Sequence, residues 1–170
     1  MPAIDQGVAQ SKNRYQLVPR TLCFVISGNE VLLLKGAANK KIWPGKYNGL
    51  GGHVERGESV HAAAEREIRE EAGLTVSDLR LRGVITIETG EAAGIGLFVF
   101  TAVAYSREVV SSTEGSLEWI PIDKITTLDL VEDLPLLLPR VLAMKFDDPC
   151  FSAQYSYDAE GKLVIEFFED

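Results

Sequence analysis

Two periods of apolar and polar positions run along the chain, and they predict its elements. Residues 21–27 (TLCFVIS) and 31–35 (VLLLK) are short apolar runs joined by Gly28-Asn29-Glu30, which predicts two strands in a hairpin. Residues 36–46 (GAANKKIWPGK) show no period and hold a Pro-Gly pair, so they read as a loop. Residues 59–72 are rich in Ala, Glu and Arg, with Ser59 placed as an N-cap and Gly73 as a terminator, and they predict a helix. Further strands are predicted over 82–88, 95–105 and 117–120. A second helix is predicted over 134–146, with Pro135 in its first turn and Pro139 expected to kink it or delay its start. Residues 151–168 alternate around Asp158-Ala159-Glu160-Gly161, which predicts a closing hairpin. Residues 1–18 have no such period and are expected to form a mobile arm ahead of one domain over 19–170. Strands mixed with two helices, without regular βα alternation, place the chain in the α/β (α+β) class with a mixed sheet.

Composition narrows the function more than the fold. A chain of 170 residues buries about 70% of its extended surface, so it needs no disulfide or metal staple. Seventeen basic residues against twenty-five acidic ones give a net charge of −8, which speaks against a general nucleic-acid binder or an anionic membrane surface. An acidic protein that handles phosphates needs local cations, and a divalent metal is the usual solution. Cys23 and Cys150 stand in no paired spacing, which fits a reducing compartment. The N-terminal residues lack an apolar signal core, and the longest apolar run, 95–105, is too short to span a bilayer. A cytoplasmic location is therefore expected.

The chemistry concentrates in residues 51–74, GGHVERGESVHAAAEREIREEAGL. Glu67, Glu70 and Glu71 stand at i, i+3 and i+4, so their carboxylates share one face of the predicted helix. Three like charges repel unless a cation sits among them, and oxygen donors at that density suit a hard ion such as Mg²⁺ or Mn²⁺. Zinc ligands are missing nearby apart from His53 and His61, which read as incidental. Gly51-Gly52 permits close backbone approach, and a carbonyl there could complete a metal shell. The competing account of EREIREE taken alone is a solvated, charge-paired helix face.

The whole spacing changes that balance. Gly52-x5-Glu58-x7-Arg66-Glu67-Ile68-x-Glu70-Glu71-x-Gly73-Leu74 resembles the Nudix box of the MutT/Nudix hydrolases at every defined position. A chance match is on the order of 10⁻⁸ at ordinary residue frequencies. The resemblance implies a Nudix fold, a mixed sheet between helices in an α/β/α arrangement, and hydrolysis of a nucleoside diphosphate linked to a further moiety with Mg²⁺ or Mn²⁺. It implies Glu67, Glu70 and Glu71 as metal ligands joined by the Gly51 carbonyl, with Glu67 also the foremost residue to orient or deprotonate water. It implies that Arg66 holds a carboxylate in place, that Glu58 braces the loop, and that Gly52 and Gly73 are structural. Phosphoryl transfer fits this inventory, since it asks mainly for positioning and charge neutralisation.

Outside the box the resemblance is looser. Residues 47–52 (YNGLGG) resemble the corresponding run of the oxidised purine nucleoside triphosphatases, the 8-oxo-dGTP diphosphatase group, which implies that Asn48 reads a base; a turn Asn before Gly is the competing account. Glu114, five residues before Trp119, matches the place where that group supplies a further metal carboxylate. The group's base-reading Trp is absent from residues 128–134 (LDLVEDL), leaving Asp133 to contact a base edge and Phe24 or Phe98 to supply a stacking wall. Lys35, Lys40, Lys41 and Lys46 make the preceding loop basic and suited to a polyphosphate, with Lys35 and Trp43 taken as substrate contacts. The expected partner is a small nucleotide, bound by a monomer or homodimer, with no membrane; the net charge of −8 disfavours nucleic acid, and RNA 5′-end processing stays open as a further reading. The rival readings are a pyrophosphatase of a nucleotide sugar, ADP-ribose or dinucleoside polyphosphate, and a non-catalytic nucleotide sensor on the same scaffold.

Overall fold

A computed structural model describes residues 14–110 and 114–168; most of the expected N-terminal arm lies outside them. Eight strands among the described residues form one mixed sheet. They are β1 (Gln16–Ser27), β2 (Glu30–Gly36), β3 (Tyr47–Asn48), β4 (Val76–Ile87), β5 (Ala93–Ala104), β6 (Gly115–Pro121), β7 (Phe151–Tyr157) and β8 (Leu163–Phe168). Two helices flank the sheet, α1 (Val60–Ala72) and α2 (Leu134–Ala143). The order is β3-β2-β1-β5-β4-β7-β8, with β6 on the free side of β2. β1 with β5 and β4 with β7 run parallel, and the other pairs are antiparallel.

Strand alternation assigns the apolar residues to two faces. Leu22, Phe24, Val31 and Leu33 face α2, which answers with Leu134, Leu137, Leu138 and Val141 at i, i+3, i+4 and i+7. Cys23, Val25, Leu32 and Leu34 face α1, whose buried stripe of Ala63, Ala64, Ile68 and Ala72 is mostly small and lets the helix sit close to the sheet. Burial raises the Cys23 thiol to about 12, so it behaves as an apolar filler. Ser59 caps α1 by accepting the Ala62 N–H at 3.1 Å, and the Gly73 N–H closes it on the Arg69 carbonyl at 2.9 Å.

The predicted elements are present, with differences at their ends. β1 starts at Gln16 rather than at Thr21, because eleven successive residues from Gln16 to Ile26 pair with β5 and satisfy polar positions that hydrophobicity does not mark. Pro139 does not delay α2, which begins at Leu134. Placed in the second turn, it forfeits one hydrogen bond, to Pro135, and the helix ends at Ala143 instead of continuing to Phe146.

The feature that builds the site is a splay between β1 and β2. They pair only from Val25–Leu32 to Ser27–Glu30, and residues 47–54 then fill the widening gap. Tyr47 and Asn48 pair with β2, while Leu50 exchanges hydrogen bonds with Cys23, and the Gly52 carbonyl accepts from the Thr21 N–H at 2.8 Å. A sequence reading of 36–46 as loop leaves this insertion invisible, since two residues of strand carry no period. Among the described residues no helix is long and apolar enough to cross a membrane.

Candidate active site

Glycine places backbone beside acid here. Leu50 and Gly52 use their carbonyls to pair with β1, so Gly51 points its own polar groups to the opposite edge, where its N–H donates to Glu71 Oε2 at 2.9 Å. Gly51 lines the cleft together with Glu71. Gly51 has φ 139°, and a Cβ there would run into the Thr21 carbonyl. At Gly52 a Cβ would lie 2.5 Å from Glu67 Oε1, so the missing side chain is what lets Glu67 lie against the backbone.

Arg66 organises the acidic helix face. Its Nε and Nη2 engage Glu58 at 3.2 and 2.7 Å, a two-point clasp, and Nη2 also donates to the His53 carbonyl at 3.0 Å. Its Nη1 donates to Glu67 Oε1 at 2.8 Å and Glu70 Oε2 at 3.1 Å. Glu58 in turn accepts the Glu55 N–H at 2.6 Å, which ties the loop before α1 to the helix. The Arg66 bonds lower the Glu58 carboxyl, and those of Glu58 and Glu67 raise the guanidinium. Glu71 differs. Burial pushes it up to about 7, with the charges of Glu67 and Glu114 adding to that and the Gly51 N–H and Lys40 opposing it.

These groups line one end of a cleft of about 990 Å³, whose lining includes Arg66, Glu67, Glu70, Glu71, Gly51 and Glu114. Among the described residues no three carboxylate, histidine or cysteine side chains converge closely enough to hold an ion. Glu67 and Glu70 are drawn to Arg66, and Glu114 to Lys40 Nζ at 2.5 Å. The donor set nonetheless fits a hard dication: it is all oxygen, and the charges of Glu67 and Glu114 add to the burial that raises Glu71. Glu67, Glu70, Glu71, Glu114 and the Gly51 carbonyl are the groups that would hold it.

The other end of the cleft is apolar with a few polar groups. Ile87, Ile95, Leu97, Val131 and Leu163 line it together with Asn48, Glu132, Asp133, Tyr155 and Tyr157. Pairing of Tyr47 with residues 129–131, through Tyr47 N–H to the Asp129 carbonyl and Val131 N–H to the Tyr47 carbonyl, brings Asn48 and Asp133 to one chamber. Asn48 Oδ1 accepts the Gly49 N–H at 2.8 Å, which leaves its amide NH₂ as the donor. Burial raises Asp133 to about 6, the Glu132 charge adding to it. The Tyr155 hydroxyl is buried without a well-formed hydrogen bond; the polar group it faces is Asp133, and burial and that carboxyl raise it. Tyr157 Oη donates to Glu132 Oε1 at 3.1 Å.

Other expected contacts fall differently. Trp43 lines the cleft, on the loop that also carries Lys40, Lys41 and Lys46. Lys35 does not line it; its ammonium lies 5.3 Å from the Tyr47 ring centroid. Phe24 is fully buried against α2, and Phe98 packs on the α1 face, so the chamber's walls come from aliphatic residues and the two tyrosines. Sequence reasoning missed Tyr155, Tyr157, Glu132 and the pair Arg20–His53, in which Arg20 Nε donates to His53 Nε2 at 3.1 Å beside the box. No local signal marks them. The β7 residues reach the cleft only because β7 pairs in parallel with β4, some seventy residues earlier in the chain.

Comparison with known proteins agrees with this geometry. The NUDIX domain model matches residues 16–141. The chain is 38% identical over 126 residues to an oxidized purine nucleoside triphosphate hydrolase of Danio rerio, covering 74% of this chain and 80% of that one. It is 34% identical over 125 residues to the mouse protein of the same name, covering 71% and 79%. A crystal structure of a MutT protein from Bacillus halodurans superposes with a TM-score of 0.75 at 27% identity, over 89% of this chain and 97% of that one.

Proposed function

The chain belongs to the Nudix family of hydrolases, and from that premise we propose that it hydrolyses a nucleoside triphosphate, foremost an oxidised purine one such as 8-oxo-dGTP, to the monophosphate and pyrophosphate with Mg²⁺ or Mn²⁺. The observation that carries this reading is the two-ended cleft, acidic beneath Gly51 and apolar with hydrogen-bonding groups beside Asp133. Relatives named for oxidised purine nucleoside triphosphates support the substrate class.

The residues divide the work. A bound dication supplies charge neutralisation on the phosphate oxygens and activation of water. Glu67, lying where a Gly52 side chain would be and held by Arg66, orients the attacking water and takes its proton. Arg66 and Glu58 keep α1 in register with the loop that presents the Gly51 carbonyl. At the far end, the Asn48 amide donates and Asp133 accepts or donates according to its proton, so the chamber favours a neutral ring with polar edges over a second phosphate. Tyr157, half-exposed at the chamber, is the aromatic available for stacking there, while Tyr155 is buried beneath it in the core.

The test is a phosphate-release screen with Mg²⁺, coupled to inorganic pyrophosphatase. Its panel holds ordinary and 8-oxo nucleoside triphosphates, ADP-ribose, nucleotide sugars and dinucleoside polyphosphates. Turnover concentrated on one or two purine triphosphates is expected. Turnover confined to ADP-ribose or a nucleotide sugar would replace the substrate class, and silence with thermal stabilisation by nucleotide would make the protein a sensor.

A further inference from the structure

Lys40 and Glu114 are set opposite each other by backbone, not by chance of side-chain reach. The Ala37 N–H donates to the Glu114 carbonyl at 3.1 Å, and the Lys40 N–H donates back to the Ala37 carbonyl at 3.0 Å. Gly36 closes the loop by exchanging hydrogen bonds with Lys46 and Gly45, each at 3.0 Å. Across this frame the Lys40 ammonium meets Glu114 Oε2 at 2.5 Å, with both side chains still partly exposed to the cleft. The same 380 Å³ recess is lined by Glu71, Gly51, Asn48 and Lys41.

A carboxylate oxygen cannot serve an ammonium and a metal ion at once without the two cations repelling. We infer that Lys40 is an exchangeable counter-ion of Glu114: it occupies the carboxylate when no ion is bound, yields it to the metal, and then pairs with the polyphosphate of the substrate. This rests on the metal-dependent hydrolysis proposed above and adds a coupling to it. Metal alone must displace Lys40 into water, whereas metal with substrate gives the ammonium a phosphate oxygen instead. Each ligand therefore tightens the other, by the same factor in both directions. Among the described residues no three carboxylates converge, and the Lys40–Glu114 pair, with Arg66 holding Glu67 and Glu70, accords with that.

Mn²⁺ binding read by electron paramagnetic resonance, on wild type, Lys40→Ala, Glu114→Gln and the double variant, tests this without turnover. Lys40→Ala is expected to tighten Mn²⁺ alone by about two- to fivefold, the range of a partly exposed ion pair. At saturating Mn²⁺ it should weaken binding of the α,β-methylene analogue of dGTP, the opposite sign, and Lys40→Arg should restore much of both. Glu114→Gln should weaken Mn²⁺, and on that background Lys40→Ala should no longer tighten it. If Glu114→Gln weakens the metal while Lys40→Ala leaves it unchanged or weakens it, the exchange is wrong and the metal site stands. If Glu114→Gln has no effect, or no Mn²⁺ binds, the assignment of Glu114 fails and takes the exchange with it.

Discussion

Glu71 is the residue whose environment makes the sharpest demand. Its carboxyl sits near 7 in the metal-free protein against 4.5 ordinarily, chiefly through burial. The folded chain thus holds a proton that the unfolded chain releases. Stability from this group is present below about pH 4.5 and is lost as pH rises toward 7; Asp133, raised to about 6 from 3.8, acts with the same sign in an overlapping window. Metal-free protein should therefore melt lower at pH 8 than at pH 5.5, and Mg²⁺ should restore the midpoint at pH 8. Binding a dication needs the carboxylate, so apparent Mg²⁺ affinity should be about tenfold weaker at pH 6 than at pH 8.5. Calorimetric titration across that range measures it, and a flat profile would mean that Glu71 does not ligate. Glu67 and Glu70 give a plainer test. Glu67→Gln or Glu70→Gln should lower kcat by about 10²- to 10⁴-fold under saturating Mg²⁺. Intact turnover in either would remove that residue from the chemistry.

Adjacent glycines separate stability from catalysis at the level of the elements they join. At Gly51 an added Cβ meets backbone, the Thr21 carbonyl of β1, at a φ of 139°. At Gly52 it meets the far end of the Glu67 side chain, which can swing away. Gly51→Ala should therefore cost several kcal/mol, of the order of 3, through strain where residues 47–54 enter the sheet. Gly52→Ala should cost less than about 1 kcal/mol but lower kcat tenfold or more by displacing Glu67, the carboxylate proposed to orient water. Denaturation midpoints and kcat measured on both variants decide it; equal losses of stability would refute the distinction. The helix that bears the acids, its cap, its stop and its box were legible because each is written in contiguous residues. The strand insertion at Tyr47–Asn48 and the extension of β1 to Gln16 were not, since backbone pairing across a splay leaves no hydrophobic period. Pro139 misled for a related reason: near the start of a helix its missing N–H costs one bond only, and burial of the leucines around it outweighs that.

At the scale of the molecule, the acidic end of the cleft is local in sequence apart from Glu114, and the apolar end is assembled from distant segments. Residues 47–49, 87–97, 131–133 and 155–163 meet there only through the β4–β7 pairing and the contact of Tyr47 with residues 129–131. That difference explains why the reaction class could be read from the chain while the wall of the apolar chamber could not. It also makes the two ends separable by mutation. Asp133→Asn removes a titrating group but keeps the volume, and it lies far from Arg66 and the box in the chain, so metal affinity should be unchanged. The ratio of kcat/KM between 8-oxo-dGTP and dGTP should shift by about 10- to 100-fold, the effect of one mispaired polar group in a buried site. Asn48→Ala should also change discrimination, because its remaining NH₂ is the donor of that chamber. Specificity constants for four nucleoside triphosphates on each variant settle the matter. A uniform fall across all four bases would make Asn48 and Asp133 parts of the scaffold, Asn48 holding the turn at Gly49 and Asp133 leading into α2. A change in ratio with Mg²⁺ affinity held constant would mean that substrate choice is set by the apolar half of the cleft and hydrolysis by the acidic half.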